Sequence, residues 1–165
     1  MFLSINKKNI FGFLTLFSIF LIVAAYYFQH VVGLKPCFLC IVQRIAVIFI
    51  GISSFILYLS EIKFSWAKYL AYPIYFGATI LGLCSAIRQM YMQRFPEPYV
   101  SCGPGYEYIL ENNSIAKSIP QLFMATGNCS EVDWSFIGLS MAEWMIPVFI
   151  GYIIVVLYIL FKKAV

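Results

Sequence analysis

The sequence predicts an all-α membrane protein: a four-transmembrane-helix bundle with both termini cytoplasmic and one long loop between helices 3 and 4. Three observations predict it. Of 165 residues, 62% are hydrophobic and 11% charged, whereas a soluble domain carries roughly 25% charged and about half apolar residues. Four apolar runs are each about long enough to cross a ~30 Å hydrocarbon core as a helix. Lysines gather at one set of their ends. No internal repeat or low-complexity segment divides the chain, so 1–165 reads as a single integral membrane domain.

The first run covers about 10–28, is uncharged, and follows Lys7 and Lys8. It exceeds the apolar stretch of a secretory signal, about 7–15 residues, and lacks a small-x-small cleavage site. It is therefore expected to be a retained helix. The second run, 41–59, carries Gln43 and Arg44 in its first turn. The third, 69–87, has Pro73 near its start, and the fourth, 145–161, ends in Lys162 and Lys163. The segments 29–40 and 88–144 are read as loops on one side.

Charge orients the bundle. The N-terminus, the second connection and the C-terminus hold Lys7, Lys8, Lys63, Lys68, Lys162 and Lys163 against Glu61 alone. The other side mixes Lys35, Arg44, Arg88, Arg94 and Lys117 with Glu97, Glu107, Glu111, Glu131, Asp133 and Glu143. Lysine in short loops marks the cytoplasmic face. Trp66, Trp134 and Trp144 fall near the expected interfaces, as an aromatic belt would place them. Within the long loop, the apolar residues of 108–124 could lie flat on the membrane as a short amphipathic helix, interrupted by Pro120. The net charge of +4 is scattered. It forms no basic stripe of the kind a phosphate backbone needs, so nucleic acid is not an expected partner.

Four of the five cysteines, Cys37, Cys40, Cys102 and Cys129, lie in the two outer connections, and Cys84 is an ordinary apolar-helix residue. The outer compartment permits disulfides. Cys37-Phe38-Leu39-Cys40 has the spacing common to catalytic dithiols. Zinc is not expected: it wants four ligands, typically as two such pairs or with histidines, and His30 is the only histidine. Pro36 bars an earlier helix start. That places Cys40 near a helix N-terminus, where the dipole and unpaired N–H groups stabilise a thiolate. Arg44 follows Cys40 by four residues, on the same helical face, with Gln43 at the adjacent spacing. An arginine one turn into the bilayer either snorkels or has a function. If functional, it would stabilise the Cys40 thiolate and donate to a carbonyl-bearing acceptor such as a quinone. Cys102 and Cys129 enclose 26 residues. As a structural disulfide they would stabilise by roughly 3–4 kcal/mol in the chain-entropy model. Their neighbours Ser101, Gly103, Gly127 and Asn128 fit a labile redox pair instead.

Taken together these residues resemble the DsbB family of disulfide bond formation proteins over nearly the whole chain. The resemblance rests on Pro36-Cys37-Phe38-Leu39-Cys40 with Gln43-Arg44, on Arg88-Gln89 through Gln93, on Cys102, on Gln121 through Cys129, and on Trp134 through Met141 with Trp144. It implies a bacterial inner-membrane enzyme with its redox cysteines on the periplasmic side. A DsbA-like periplasmic thioredoxin-fold dithiol would attack a Cys102–Cys129 disulfide at Cys102. Electrons would then pass through a Cys37–Cys129 bond to the Cys37–Cys40 pair and on to a membrane quinone, ubiquinone or menaquinone. Cys40 would be the cysteine beside the quinone, assisted by Arg44, with Gln43, Arg88 and Gln89 as further candidates at that site. Some members carry a histidine where this chain has Gln89, which cannot take a proton at neutral pH. A specialised relative with a dedicated partner is an alternative. The vitamin K epoxide reductase-like proteins place the Cys-x-x-Cys on the last core helix, whereas here it opens the second. A scaffold with structural cysteines would leave Arg44 unexplained.

Overall fold

The four apolar runs form four helices: α1 (Lys7–His30), α2 (Phe38–Ser60), α3 (Lys68–Arg94) and α4 (Met141–Ala164). All four are long and apolar enough to cross a membrane. A helix suits lipid because it satisfies every backbone polar group within its own segment. The computed structural model describes residues 7–33, 37–60, 67–95 and 135–164. Trp66, Trp134, Cys102, Cys129 and the expected surface helix within 108–124 lie outside them.

α2 and α3 form the centre of the bundle, with α1 packed on α2 and α4 on α3. The core gathers Phe11 and Leu14 of α1, Val47 and Ile50 of α2, Tyr75 of α3, and Phe149 and Val156 of α4. The perimeter is equally apolar: Leu16 is 68% exposed, Phe20 64% and Leu70 62%. An apolar surface this continuous marks contact with a membrane or a partner, and here it runs along four membrane-length helices.

Between helices in lipid the hydrophobic drive is weak, so close packing and hydrogen bonds carry association. Buried hydroxyls return to their own helix: Ser18 donates to Leu14 O at 2.9 Å, Thr79 to Tyr75 O at 2.6 Å, and Ser85 to Gly82 O at 2.8 Å. Hydroxyls also join helices in the middle of the bundle. Tyr75 donates its hydroxyl to Tyr152 O at 3.0 Å, and the Tyr152 and Ser18 hydroxyls meet at 2.8 Å. α3 meets α4 tightly at Gly82, where a methyl group would overlap the ring of Phe149.

The helices outrun the hydropathy pattern at several ends, among them Lys7 against 10 in α1 and Ala164 against 161 in α4. α2 begins at Phe38 rather than 41, so the whole Cys-x-x-Cys sits at its N-terminus. α3 continues to Arg94, nearly two turns beyond the expected end at 87. Arginine, glutamine and methionine are good helix formers although polar or neutral in hydropathy, so the helix outlasts the apolar stretch. α4 begins at Met141 rather than 145. Ser140 and Glu143 form a capping box there, a reciprocal bond between N-cap and third helical residue. Ser140 N–H donates to Glu143 Oε2 at 2.7 Å, and Glu143 N–H donates to Ser140 Oγ at 3.3 Å.

Just before α4, a stretch read as loop folds into a small antiparallel hairpin, β1 (Ser135–Phe136) with β2 (Leu139–Ser140). Its two turn residues, Ile137 (φ 54°) and Gly138 (φ 76°), are both left-handed, as a two-residue turn matching strand twist requires. Trp144 Nε1 donates to Phe136 O at 3.2 Å and fastens the hairpin to α4.

The same cap ties α4 to the end of α3. Arg94 donates to Glu143 Oε1 from Nε at 2.9 Å and Nη2 at 2.6 Å, and Ser140 Oγ bonds Gln93 Oε1 at 2.7 Å. Arg94 is 59% exposed, and an exposed ion pair contributes little. The cap is therefore the stronger element. Ser140→Ala is expected to cost about 1 kcal/mol of stability, and Arg94→Ala less than about 0.5 kcal/mol. Thermal unfolding of the two variants in detergent checks the ranking. A larger loss for Arg94→Ala would make the ion pair the dominant tie.

Candidate active site

α2 starts at Phe38. Cys37 occupies the cap position. Its carbonyl accepts the first helical bond, from Ile41 N–H at 3.1 Å, and its sulfur accepts the Cys40 N–H at 3.3 Å. A serine or aspartate usually fills this role. The positive end of the helix and an otherwise orphaned amide thus converge on sulfur, an arrangement that favours a thiolate. Spacing along the sequence assigned that stabilisation to Cys40. The structure directs the amide of Cys40 to Cys37, because a cap side chain reaches forward into the first turn.

Cys37 Sγ and Cys40 Sγ lie 2.7 Å apart. The pair can close to a disulfide without moving the helix, since one helical turn already sets the separation. Cys37 and Leu39 are buried, and the partly buried Cys40 and Met92 pack with them. Met92 comes from the part of α3 that hydropathy assigned to a loop, so the extra turns of that helix wall the dithiol on one side.

The same extension delivers Gln89. Its Nε2 lies 3.3 Å from Cys37 Sγ and 3.2 Å from Cys40 Sγ, while its Oε1 accepts from Gln43 Nε2 at 2.9 Å. Both amides are buried, Gln43 at 5% exposure and Gln89 at 4%. Cys37, Cys40, Gln43 and Gln89 therefore form one cluster.

Arg44 points elsewhere. Its Nη1 donates to Gln29 Oε1, its Nη2 to Ala25 O at 3.4 Å, and the guanidinium lies 5.9 Å from the centre of the Tyr26 ring. Tyr26 in turn stacks on His30 at 5.9 Å. The four-residue spacing set Arg44 on the face of Cys40, but its long stem carries the charge across to α1. Arg88 is exposed on α3, one residue before Gln89, and Cys84 is exposed on the same helix. Sequence reasoning missed Gln29 and Tyr26. The available signal was a polar Gln29 closing an apolar run one turn before the Cys-x-x-Cys loop.

Four helices long and apolar enough to cross a membrane, with a helix-capped Cys-x-x-Cys at one end, define a multi-pass membrane protein built for thiol–disulfide chemistry. The chain belongs to the DsbB family: the family described as Disulfide bond formation protein DsbB matches residues 7–159. It is 32% identical over 164 residues to Disulfide bond formation protein B of Azoarcus sp. (strain BH72), covering 97% of this chain and 96% of that one. It is 36% identical over 160 residues to the protein of the same name from Stutzerimonas stutzeri (strain A1501), covering 96% and 97%. A third relative of that name, from Albidiferax ferrireducens, is 36% identical over 151 residues, 87% of this chain and 82% of its own.

Proposed function

We propose that this chain reoxidises a DsbA-like periplasmic thioredoxin-fold dithiol protein and passes the electrons through Cys102 and Cys129, then Cys37 and Cys40, to a membrane quinone. The observation that carries this reading is the helix-capped dithiol, its sulfurs 2.7 Å apart at one end of a membrane bundle. The lysine asymmetry supports placing that end outside, in the periplasm of a bacterial inner membrane. There a soluble partner reaches the dithiol from water and a lipid-dissolved acceptor from the side.

The donor set fits a quinone. Arg44 offers guanidinium N–H groups at the boundary of α1 and α2, beside the aromatic face of Tyr26. Charged N–H donors suit a carbonyl oxygen, and an aromatic ring suits a planar one. A bound quinone supplies the sink for the two electrons and two protons released as a partner dithiol becomes a disulfide. The chain's own groups do the rest. Cys37 and Cys40 exchange bonds, the helix N-terminus and the buried amides steady the sulfurs, and the leucine and methionine around them exclude water. Gln89 faces the sulfurs and Gln43 holds Gln89 on this reading, and Arg44 faces the acceptor.

The test is direct. Protein purified in detergent is mixed with a reduced thioredoxin-fold dithiol protein and a ubiquinone or menaquinone analogue, and quinone absorbance is followed. Quinone reduction dependent on the partner is expected. None with either analogue would overturn the reading. Arg44→Ala is expected to raise the KM for quinone about tenfold or more, the worth of a charged hydrogen bond, with a smaller change in the KM for the partner. An unchanged quinone KM would reduce Arg44 to anchoring α1.

A further inference from the structure

The amide of Gln89 presents its two N–H donors to two sulfurs, 3.3 Å from Cys37 Sγ and 3.2 Å from Cys40 Sγ. Its oxygen accepts from Gln43 Nε2 at 2.9 Å and, more weakly, from the Cys40 thiol at 3.7 Å. An amide can face either way unless a neighbour decides. Gln43 decides, because its N–H donates only to the oxygen end of Gln89. Both groups are buried, so water does not compete strongly for the bonds.

We propose that Gln89 is a hydrogen-bond donor that stabilises the ionised sulfur of the dithiol, and that Gln43 is the positioning residue that turns it that way. The inference deepens the proposed oxidase reading and rests on the dithiol being its redox centre. Ionisation here means that the S–H bond breaks and the proton leaves to solvent, while the sulfur keeps the electron pair and gains the N–H contacts. Hydrogen bonds to the charged form favour it. The donor is neutral and does not titrate, so this stabilisation is the same at every working pH. The charged or titratable groups carried near this end of the packed helices are Arg44, Arg88, Arg94, Glu143 and His30. Arg44 reaches α1, Arg94 holds Glu143, and Arg88 and His30 are exposed.

The experiment reads Cys37 as the only thiol in the full chain, with Cys40, Cys84, Cys102 and Cys129 replaced by serine. Serine at position 40 keeps the capping N–H. The rate of alkylation by iodoacetamide is measured against pH in detergent, with neither quinone nor partner protein present. Gln89→Met keeps the volume and removes the donors. The half-maximal pH for alkylation is expected to rise by about one unit. Gln43→Met leaves Gln89 in place but releases its orientation, and a smaller rise is expected. Combined with Gln89→Met, Gln43→Met is expected to add nothing, since its effect passes through the amide already removed.

No rise in Gln89→Met would overturn the donor role. A rise from Gln43→Met that persists in the double variant would overturn the positioning role. Should Gln89→Met not fold, an unmoved midpoint in Gln43→Met alone overturns the proposal. Failure here leaves partner-dependent quinone reduction intact, and failure of quinone reduction leaves these midpoints intact, so the two readings fail separately.

Discussion

Cys40→Ser is expected to lose partner-driven quinone reduction by at least about a thousandfold, as removal of an enzyme's nucleophile does. Serine fills nearly the same space and keeps the N–H that caps Cys37, so the bundle should hold. What disappears is the second sulfur 2.7 Å from the first. A lone thiol can form a mixed disulfide but cannot release it internally. The expected signature is therefore at most one round of partner oxidation at Cys102–Cys129, with exchange halted at Cys37 and no quinol formed. Non-reducing electrophoresis and quinone absorbance measure the two halves independently. Equal quinone turnover in wild type and Cys40→Ser would remove the dithiol from the reaction. Cys102→Ser provides the complementary arm, losing the protein partner while a small dithiol such as dithiothreitol still drives quinone reduction.

Gly82→Ala is expected to be the most damaging single-methyl change to stability. The added carbon would overlap Cε1 and Cζ of Phe149, a ring at 0% exposure. Overpacking of this kind costs about 1–3 kcal/mol. Lipid offers no compensating hydrophobic gain, because the tails are as apolar as the ring. Phe149→Leu should recover much of the loss when combined with Gly82→Ala, giving a non-additive pair. Thermal midpoints of the four proteins in detergent decide it. A Gly82→Ala midpoint equal to wild type would show that α3 and α4 separate at this point without cost.

The four helices were legible because apolar runs of membrane length have few other fates. Their ends were not, and each miss has its own cause. Gln89, Met92 and Arg94 lie in helix although hydropathy falls away there, because helix propensity and hydropathy are separate properties. The start of α4 is written in Ser140-x-x-Glu143, a capping signal that lies ahead of the apolar run. The hairpin was hidden by Ile137, a β-branched residue in a left-handed turn position that usually favours asparagine or glycine. At the dithiol, Cys-x-x-Cys and Gln43-Arg44 stood out in the sequence. The bond between Gln43 and Gln89, 46 residues apart, did not, because it exists only once α2 and α3 pack. Cys40 and Arg44 share a helical face, yet side-chain reach sends the arginine to Gln29.

The two extra turns of α3 have a consequence for where the reaction happens. Seven residues of helix beyond Ile87 rise about 10 Å, enough to lift Gln89 and Met92 to the level of the first turn of α2. On the proposed reading, the reductant dissolves only in water and the oxidant only in oil. Chemists join such immiscible reagents with a phase-transfer catalyst that works at the seam. Here the seam is held by a length of helix. Shortening α3 by a turn would take away the wall that fixes the sulfurs at that height, and the two phases would lose their common address.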